Sequence, residues 1–171
     1  IAVNPVVTTT YIVTVIDANG CQDTDQVTVT VSDVTANAGP DQTVCLGQSA
    51  VLTASGGVSY LWNTGQATQT ISVNPSATTT YTVTVTNAEG CQDTDQVTVF
   101  VSEAVADAGP DQLICLGGTA VLSASGGVSY QWNTGQMTQT IVVNPSVTTT
   151  YTVTVTNADG CQDTDQVTVT V

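Results

Sequence analysis

Hydrophobic and polar residues alternate with a period of two over long stretches of this chain. In Tyr81-Thr-Val-Thr-Val-Thr86, the residues Tyr81, Val83 and Val85 fall on one face and Thr82, Thr84 and Thr86 on the other; Val97-Thr-Val-Phe-Val101 places Val97, Val99 and Val101 together in the same way. Successive side chains of a strand point to opposite faces, so this alternation predicts strands with one face buried. Turn residues interrupt at short intervals, at Gly39-Pro40-Asp41, Gly47, Gly56-Gly57, Asn63-Thr-Gly65, Asn74-Pro75 and Asn87-Ala-Glu-Gly90. The strands expected between them run over about 41–46, 49–55, 58–63, 68–74, 78–86 and 91–101, with a seventh from division of one of the longer runs between two sheets. Short strands at this spacing predict an all-β, two-sheet sandwich of immunoglobulin type, with Trp62 as the core aromatic of the third strand.

The whole pattern recurs every 70 residues. Cys21, Cys91 and Cys161 are 70 apart, as are Cys45 and Cys115, and Trp62 and Trp132. Residues 32–101 and 102–171 are identical at 55 of 70 positions, and residues 1–31 match 71–101 and 141–171. The predicted organisation is therefore the C-terminal part of one repeat (1–31) followed by two full repeats (32–101 and 102–171), a window on a longer array.

Composition supports strands over helices. Thr contributes 34 residues and Val 29, while Leu contributes 6 and Met 1; β-branched side chains suit the pleated sheet and lose rotamer freedom in a helix. No run approaches the roughly 18 apolar residues of a membrane-spanning helix. Charge excludes more. The chain has no Lys, Arg or His against 14 Asp and Glu, a formal net charge of −14. Neither nucleic acid nor an anionic membrane is expected to bind without cations to meet its phosphates. Without His there is no imidazole base, no Ser-His-Asp or Cys-His arrangement and no His-ligated zinc. The paired carboxylates Asp23 and Asp25 recur in every repeat, which suggests architecture and not glycoside hydrolysis. No enzyme activity is expected.

The stretch Tyr60-Leu-Trp-Asn-Thr-Gly65, with Tyr81-Thr-Val-Thr-Val-Thr-Asn87 and Gly90-Cys91, resembles PKD-like and other immunoglobulin-like repeats. It is most similar to the repeats of very large surface adhesins of Bacteroidetes, of the gliding-motility type, exported by the type IX secretion system. Ala38-Gly-Pro-Asp-Gln42 with Cys45-Leu-Gly47, recurring as Ala108-Gly-Pro-Asp-Gln112 with Cys115-Leu-Gly117, is similar to the opening of such repeats. Trp62-Asn-Thr-Gly65 departs from the Trp-x-Phe-Gly-Asp-Gly of PKD domains. The resemblance implies an extended extracellular fibre.

Five cysteines with no CxxC pair and no His point to disulfides. Two pairings compete. In one, Cys45 joins Cys91 and Cys115 joins Cys161 within each repeat, and Cys21 joins a residue before the window. In the other, Cys21 joins Cys45 and Cys91 joins Cys115, tying each repeat to the next. The first is favoured, because an immunoglobulin-like topology is expected to bring the first and last strands together at one pole.

The acids gather at the expected pole between domains. Asp33, Asp41, Asp93 and Asp95 in one repeat, and Asp107, Asp111, Asp163 and Asp165 in the next, are hard oxygen ligands that can hold Ca²⁺ there. The competing reading is a solvated acidic pole that keeps the protein soluble; no other cofactor is expected. The outward threonines Thr82, Thr84, Thr86 and Thr98 are expected to form a cross-strand ladder. Together these features predict a structural segment of an extracellular, cell-surface fibre or adhesin stalk. Its partners would be neighbouring repeats, of the same chain or of like chains in a filament. Glycans or a host or other substratum would be met only at a distant tip. The alternatives are a pilus-type subunit completed by strand exchange between chains and a carbohydrate-binding module.

Overall fold

The β-branched alternation is realised as strands throughout. The computed structural model describes residues Ile1–Val171. Its elements are β1 (Thr9–Ile16), β2 (Gln22–Val29), β3 (Gln42–Cys45), β4 (Ala50–Thr53), β5 (Ser59–Trp62), β6 (Thr70–Val73), β7 (Thr79–Thr86), β8 (Gln92–Ser102), β9 (Gln112–Leu113), β10 (Ala120–Ser123), β11 (Ser129–Trp132), β12 (Thr140–Val143), β13 (Thr149–Thr156) and β14 (Gln162–Thr170), with no helix. Two compact units are formed. One comprises Ile1–Gly39, Leu52–Ile71 and Tyr81–Gln96; the other comprises Pro40–Val51, Ser72–Thr80 and Val97–Val171. This division cuts through residues 32–101.

Each full repeat supplies a four-stranded sheet, in the order β3-β8-β7-β5 or β11-β13-β14-β9, and a two-stranded sheet, β4-β6 or β10-β12. These are the two sheets of tandem immunoglobulin-like sandwiches. In the second repeat the core lies between them: Trp132, Tyr151, Val153, Val155, Val167 and Val169 come from the larger sheet, and Ala120, Leu122, Ile141 and Val143 from the smaller. The alternation read from sequence is the cause, since every second residue of β13 is buried. Trp62 and Trp132 are each 1% exposed, and each indole N–H donates to a backbone carbonyl, of Thr68 and Thr138, at 3.0 Å. Of the threonines expected to form a ladder, Thr98 pairs with Thr80 at 3.2 Å, as Thr168 does with Thr150 in the next repeat, whereas Thr82, Thr84 and Thr86 share a side-chain hydrogen bond with no other threonine.

The seventh strand does not come from dividing a long run. β7 and β8 stay whole, and the extra segment precedes β3. Asn37 and Ser55 exchange backbone hydrogen bonds of 3.1 and 2.8 Å as an isolated antiparallel bridge. Gly39, at φ 82°, and Pro40 then turn the chain. Beyond them β3 runs parallel to β8, with Gln42 opposite Val99 and Cys45 opposite Ser102. In the second repeat β9 likewise runs parallel to β14. A first strand that bridges one sheet and then runs parallel to the last strand of the other closes the sandwich along that edge.

β1 and β2 form a hairpin in the register of β13 and β14, from Thr9 opposite Val29 to Ile16 opposite Gln22. Its inward row differs in environment. Val13, Val15 and Val27 are 56%, 62% and 62% exposed, whereas Val153, Val155 and Val167 are at most 1% exposed.

Gly126 carries a tight approach: at φ 96° a Cβ there would lie 1.8 Å from the Val105 carbonyl oxygen, whereas a Cβ at Gly135, φ 85°, meets nothing within 4 Å. G135A is therefore expected to cost only the left-handed backbone penalty of about 1–2 kcal/mol. G126A adds a backbone clash and is expected to exceed about 3 kcal/mol. Chemical denaturation of the two variants checks the difference; equal losses would contradict it.

Candidate functional site

The chemistry-bearing residues of this chain are its cysteines and carboxylates. Cys45 ends β3 and Cys161 immediately precedes β14; their sulfurs are bonded, with the Cα atoms 5.4 Å apart and a sequence separation of 116. This corrects the pairing favoured from sequence. Cys45 does not join Cys91, Cys115 does not join Cys161, and the rival bonds Cys21–Cys45 and Cys91–Cys115 do not form either; Cys21, Cys91 and Cys115 are free. The reason is the position of Cys45 at the end, not the start, of its strand. Parallel pairing sets Cys45 opposite Ser102, the last residue of β8, while Cys91 stands just before its first residue, Gln92. An 11-residue strand spans roughly 35 Å, far beyond the reach of a disulfide. The bond therefore joins the first strand of repeat 32–101 to the last strand of repeat 102–171.

A polar knot positions Cys161. The Asn157 carboxamide oxygen accepts the Cys161 N–H at 2.9 Å and the Asp159 N–H at 3.0 Å. Its Nδ2 donates to Ser102 Oγ at 3.0 Å and to the Glu103 carbonyl at 3.1 Å. Ser102 Oγ in turn donates to Asp159 Oδ2 at 2.5 Å. Asn87, Ser32 and Glu89 build the same knot around Cys91. The sequence marked these segments only as turns. The finer signal was an Asn four residues before Cys91 and before Cys161, placed to accept from the backbone ahead of it. Asp17 takes that place before Cys21, accepting from Asn19 and Cys21 at 2.8 and 2.9 Å. The Cys21 and Asn19 amides hold its carboxyl below the usual carboxylate range.

The acids expected as candidate calcium ligands have another occupation. Along β8, Asp93 Oδ2 accepts the Ala36 N–H and Asp95 Oδ2 the Ala38 N–H, both at 2.8 Å. Along β14, Asp163 and Asp165 do the same for Ala106 and Ala108. Asp41 and Asp111 each accept an amide of the last strand, Thr98 or Thr168, at 2.7 Å. Asp33 accepts from Val34 at 2.8 Å and Asp107 from Gly109 at 2.8 Å. No three Asp, Glu, Cys or His side chains gather into a group that could hold a metal ion. With no cation in the chain, the carboxylates satisfy the backbone of the first segment where a sheet ladder would otherwise do so. The Ala36 amide chiefly, with Thr94, lowers the Asp93 pKa, and the Ala106 amide, with Thr164, lowers that of Asp163.

No family model and no curated protein matches the chain. Among solved structures it is similar to the paired immunoglobulin domains of DIP-gamma, at 11% identity over 82% of this chain and 95% of that one, with a TM-score of 0.41. It is also similar to the insect immune protein hemolin, at 14% identity over 95% of this chain and 56% of that one, TM-score 0.42. A third is a 1.5-MDa bacterial ice-binding adhesin, at 16% identity over 95% and 74% of the two chains, TM-score 0.36.

Two predictions follow from this geometry. Because the folded pKa of Asp163 is depressed, its contribution to stability is complete above the ordinary value of 3.8 and is lost as pH falls through the lower folded value. D163A should melt below the parent protein at pH 6, and the gap should close toward pH 2; a gap that does not change with pH would refute this. C45S removes a constraint on a 116-residue separation and should cost roughly 5 kcal/mol in the chain-entropy model, read from denaturant midpoints of the oxidised proteins.

Proposed function

We propose that this chain is a structural segment of an extracellular fibre or adhesin stalk, built of tandem immunoglobulin-like domains and giving reach and mechanical stability at the cell surface. The observation that carries the reading is the Cys45–Cys161 bond, which ties the first strand of one repeat to the last strand of the following one. A spacer benefits when successive repeats cannot drift apart; an independent binding module gains nothing from it. A disulfide of this kind belongs to an oxidising compartment, which supports an extracellular location. The near-identity of the repeats and the absence of any charged partner for 14 carboxylates support a role in which every unit repeats one architectural task. The resemblance of its motifs to type IX-exported adhesins of Bacteroidetes supports the same reading. Its partners are then further repeats, with any glycan or substratum held at a distant tip.

A carbohydrate-binding module is less well supported, because the indoles of Trp62 and Trp132, 1% exposed, are not presented to stack on a sugar. The expected result of immunogold labelling on intact native cells is signal along extracellular filaments, and of a glycan array, no binding. Label confined to the cell interior, or saturable binding of one glycan by the oxidised chain, would overturn the stalk reading.

A further inference from the structure

The bonded cysteines and the free ones occupy the same two kinds of place. Cys91 stands one 70-residue period before Cys161, and Cys115 one period after Cys45. Around Cys91 the structure repeats what holds Cys161: the Asn87 carboxamide accepts the Cys91 N–H at 2.9 Å, and Gln92 Nε2 donates to Thr86 Oγ1 at 3.3 Å as Gln162 does to Thr156 at 3.2 Å. Around Cys115 it repeats what holds Cys45: the Cys115 carbonyl accepts from Gly118 at 2.8 Å as that of Cys45 does from Gln48 at 2.9 Å. Asn144 Nδ2 donates to the Gly117 carbonyl as Asn74 does to Gly47, each at 3.3 Å.

Where the members of these pairs differ, they differ as bonded from unbonded. Cys161 is 4% exposed, whereas Cys91 is half-buried and Cys115 exposed. Leu46, beside the bonded Cys45, is 46% exposed, while Leu116, beside Cys115, is 76% exposed. β3 runs through to Cys45, whereas β9 stops at Leu113, two residues short of Cys115.

We propose that Cys91 and Cys115 are half-cystines of a disulfide ladder, in which the first-strand cysteine of every repeat bonds the last-strand cysteine of the repeat that follows it in the same polypeptide. Cys115 bonds the counterpart of Cys161 in a following repeat, and Cys91 bonds the counterpart of Cys45 in a preceding one. Cys21, in the place of Cys91, belongs to the next rung back. Each rung forms when a thiolate attacks the disulfide of a thiol–disulfide oxidant and the second thiolate displaces it from the mixed disulfide. Two thiols then lose two protons and two electrons, and the oxidant leaves as its dithiol. The ladder requires adjoining repeats of this type and does not depend on the stalk role.

The test extends the full chain and counts thiols in the denatured, unreduced protein after air-free purification from an oxidising compartment. The parent has three, Cys21, Cys91 and Cys115. Appending a further copy of residues 102–171 after Val171 adds two cysteines, and the ladder keeps the count at three, with a peptide linking Cys115 to the added copy of Cys161. Five thiols, one thiol, or a Cys115 bond found only in dimers overturns the proposal. A second extension places a copy of residues 32–70 ahead of Ile1. It adds one cysteine, and the ladder lowers the count to two by bonding Cys91 to the added copy of Cys45; a count of four overturns it. Circular dichroism and melting of each extended chain establish that the added residues fold.

Discussion

Parallel pairing of the first strand with the last governs the rest of this structure. β3 follows β8 from Gln42 opposite Val99 to Cys45 opposite Ser102, so the end of the first strand and the end of the last strand lie side by side. The chain leaves that edge directly into the next repeat through Ser102 and Glu103. The Leu46 N–H donates to the Ser102 carbonyl at 2.9 Å, continuing the ladder past the cysteine. Cys45 therefore lies nearly the whole length of β8 away from Cys91, and its sulfur meets the following repeat instead. The place of one short strand along the last strand thus selects a bond that spans two repeats over one that braces a domain.

The second determinant is the lack of any cation. A carboxylate in most proteins can settle beside Lys or Arg; here it has only N–H and O–H donors to choose from. The alternating acids of β8 and β14 use this by reaching across to the amides of the segment that precedes β3 or β9. Asp93 and Asp95 hold Ala36 and Ala38, and Asp163 and Asp165 hold Ala106 and Ala108, each at 2.8 Å. A charged acceptor makes a stronger hydrogen bond than a neutral carbonyl. The segment is therefore stitched to the sheet by side chains where the backbone alone makes a single bridge.

Much of this was legible from the sequence. The alternation around Tyr81 and Val97 defined β7 and β8, and all six expected strands appear within two residues of their positions, because burial on one face leaves little freedom of register. Trp62 stood out as a core residue by its place on the third strand. The disulfide was not legible, since the expected bounds put Cys45 at the end of the first strand and Cys91 at the start of the last, but nothing in the sequence says along which part of the last strand the first one lies. Nor was the role of the acids. Asp93 and Asp163 look alike whether they face a metal or an amide, and only the path of residues 33–39 beside β8 distinguishes the two. Asn157 was hidden in a turn motif whose backbone function is common, while its second set of bonds, to Ser102 and Glu103, depends on tertiary placement.

The Cys45–Cys161 bond also changes what a single cut does. Hydrolysis of any one peptide bond between the two sulfurs leaves both fragments joined, so 116 consecutive linkages can each be nicked without the molecule parting. Rungs spaced 70 residues apart and each spanning 116 would overlap, leaving no interior bond outside a covalent loop. Such a polymer tolerates isolated proteolytic damage anywhere along its interior, and is severed only where breaks accumulate close together or where its sulfurs are reduced.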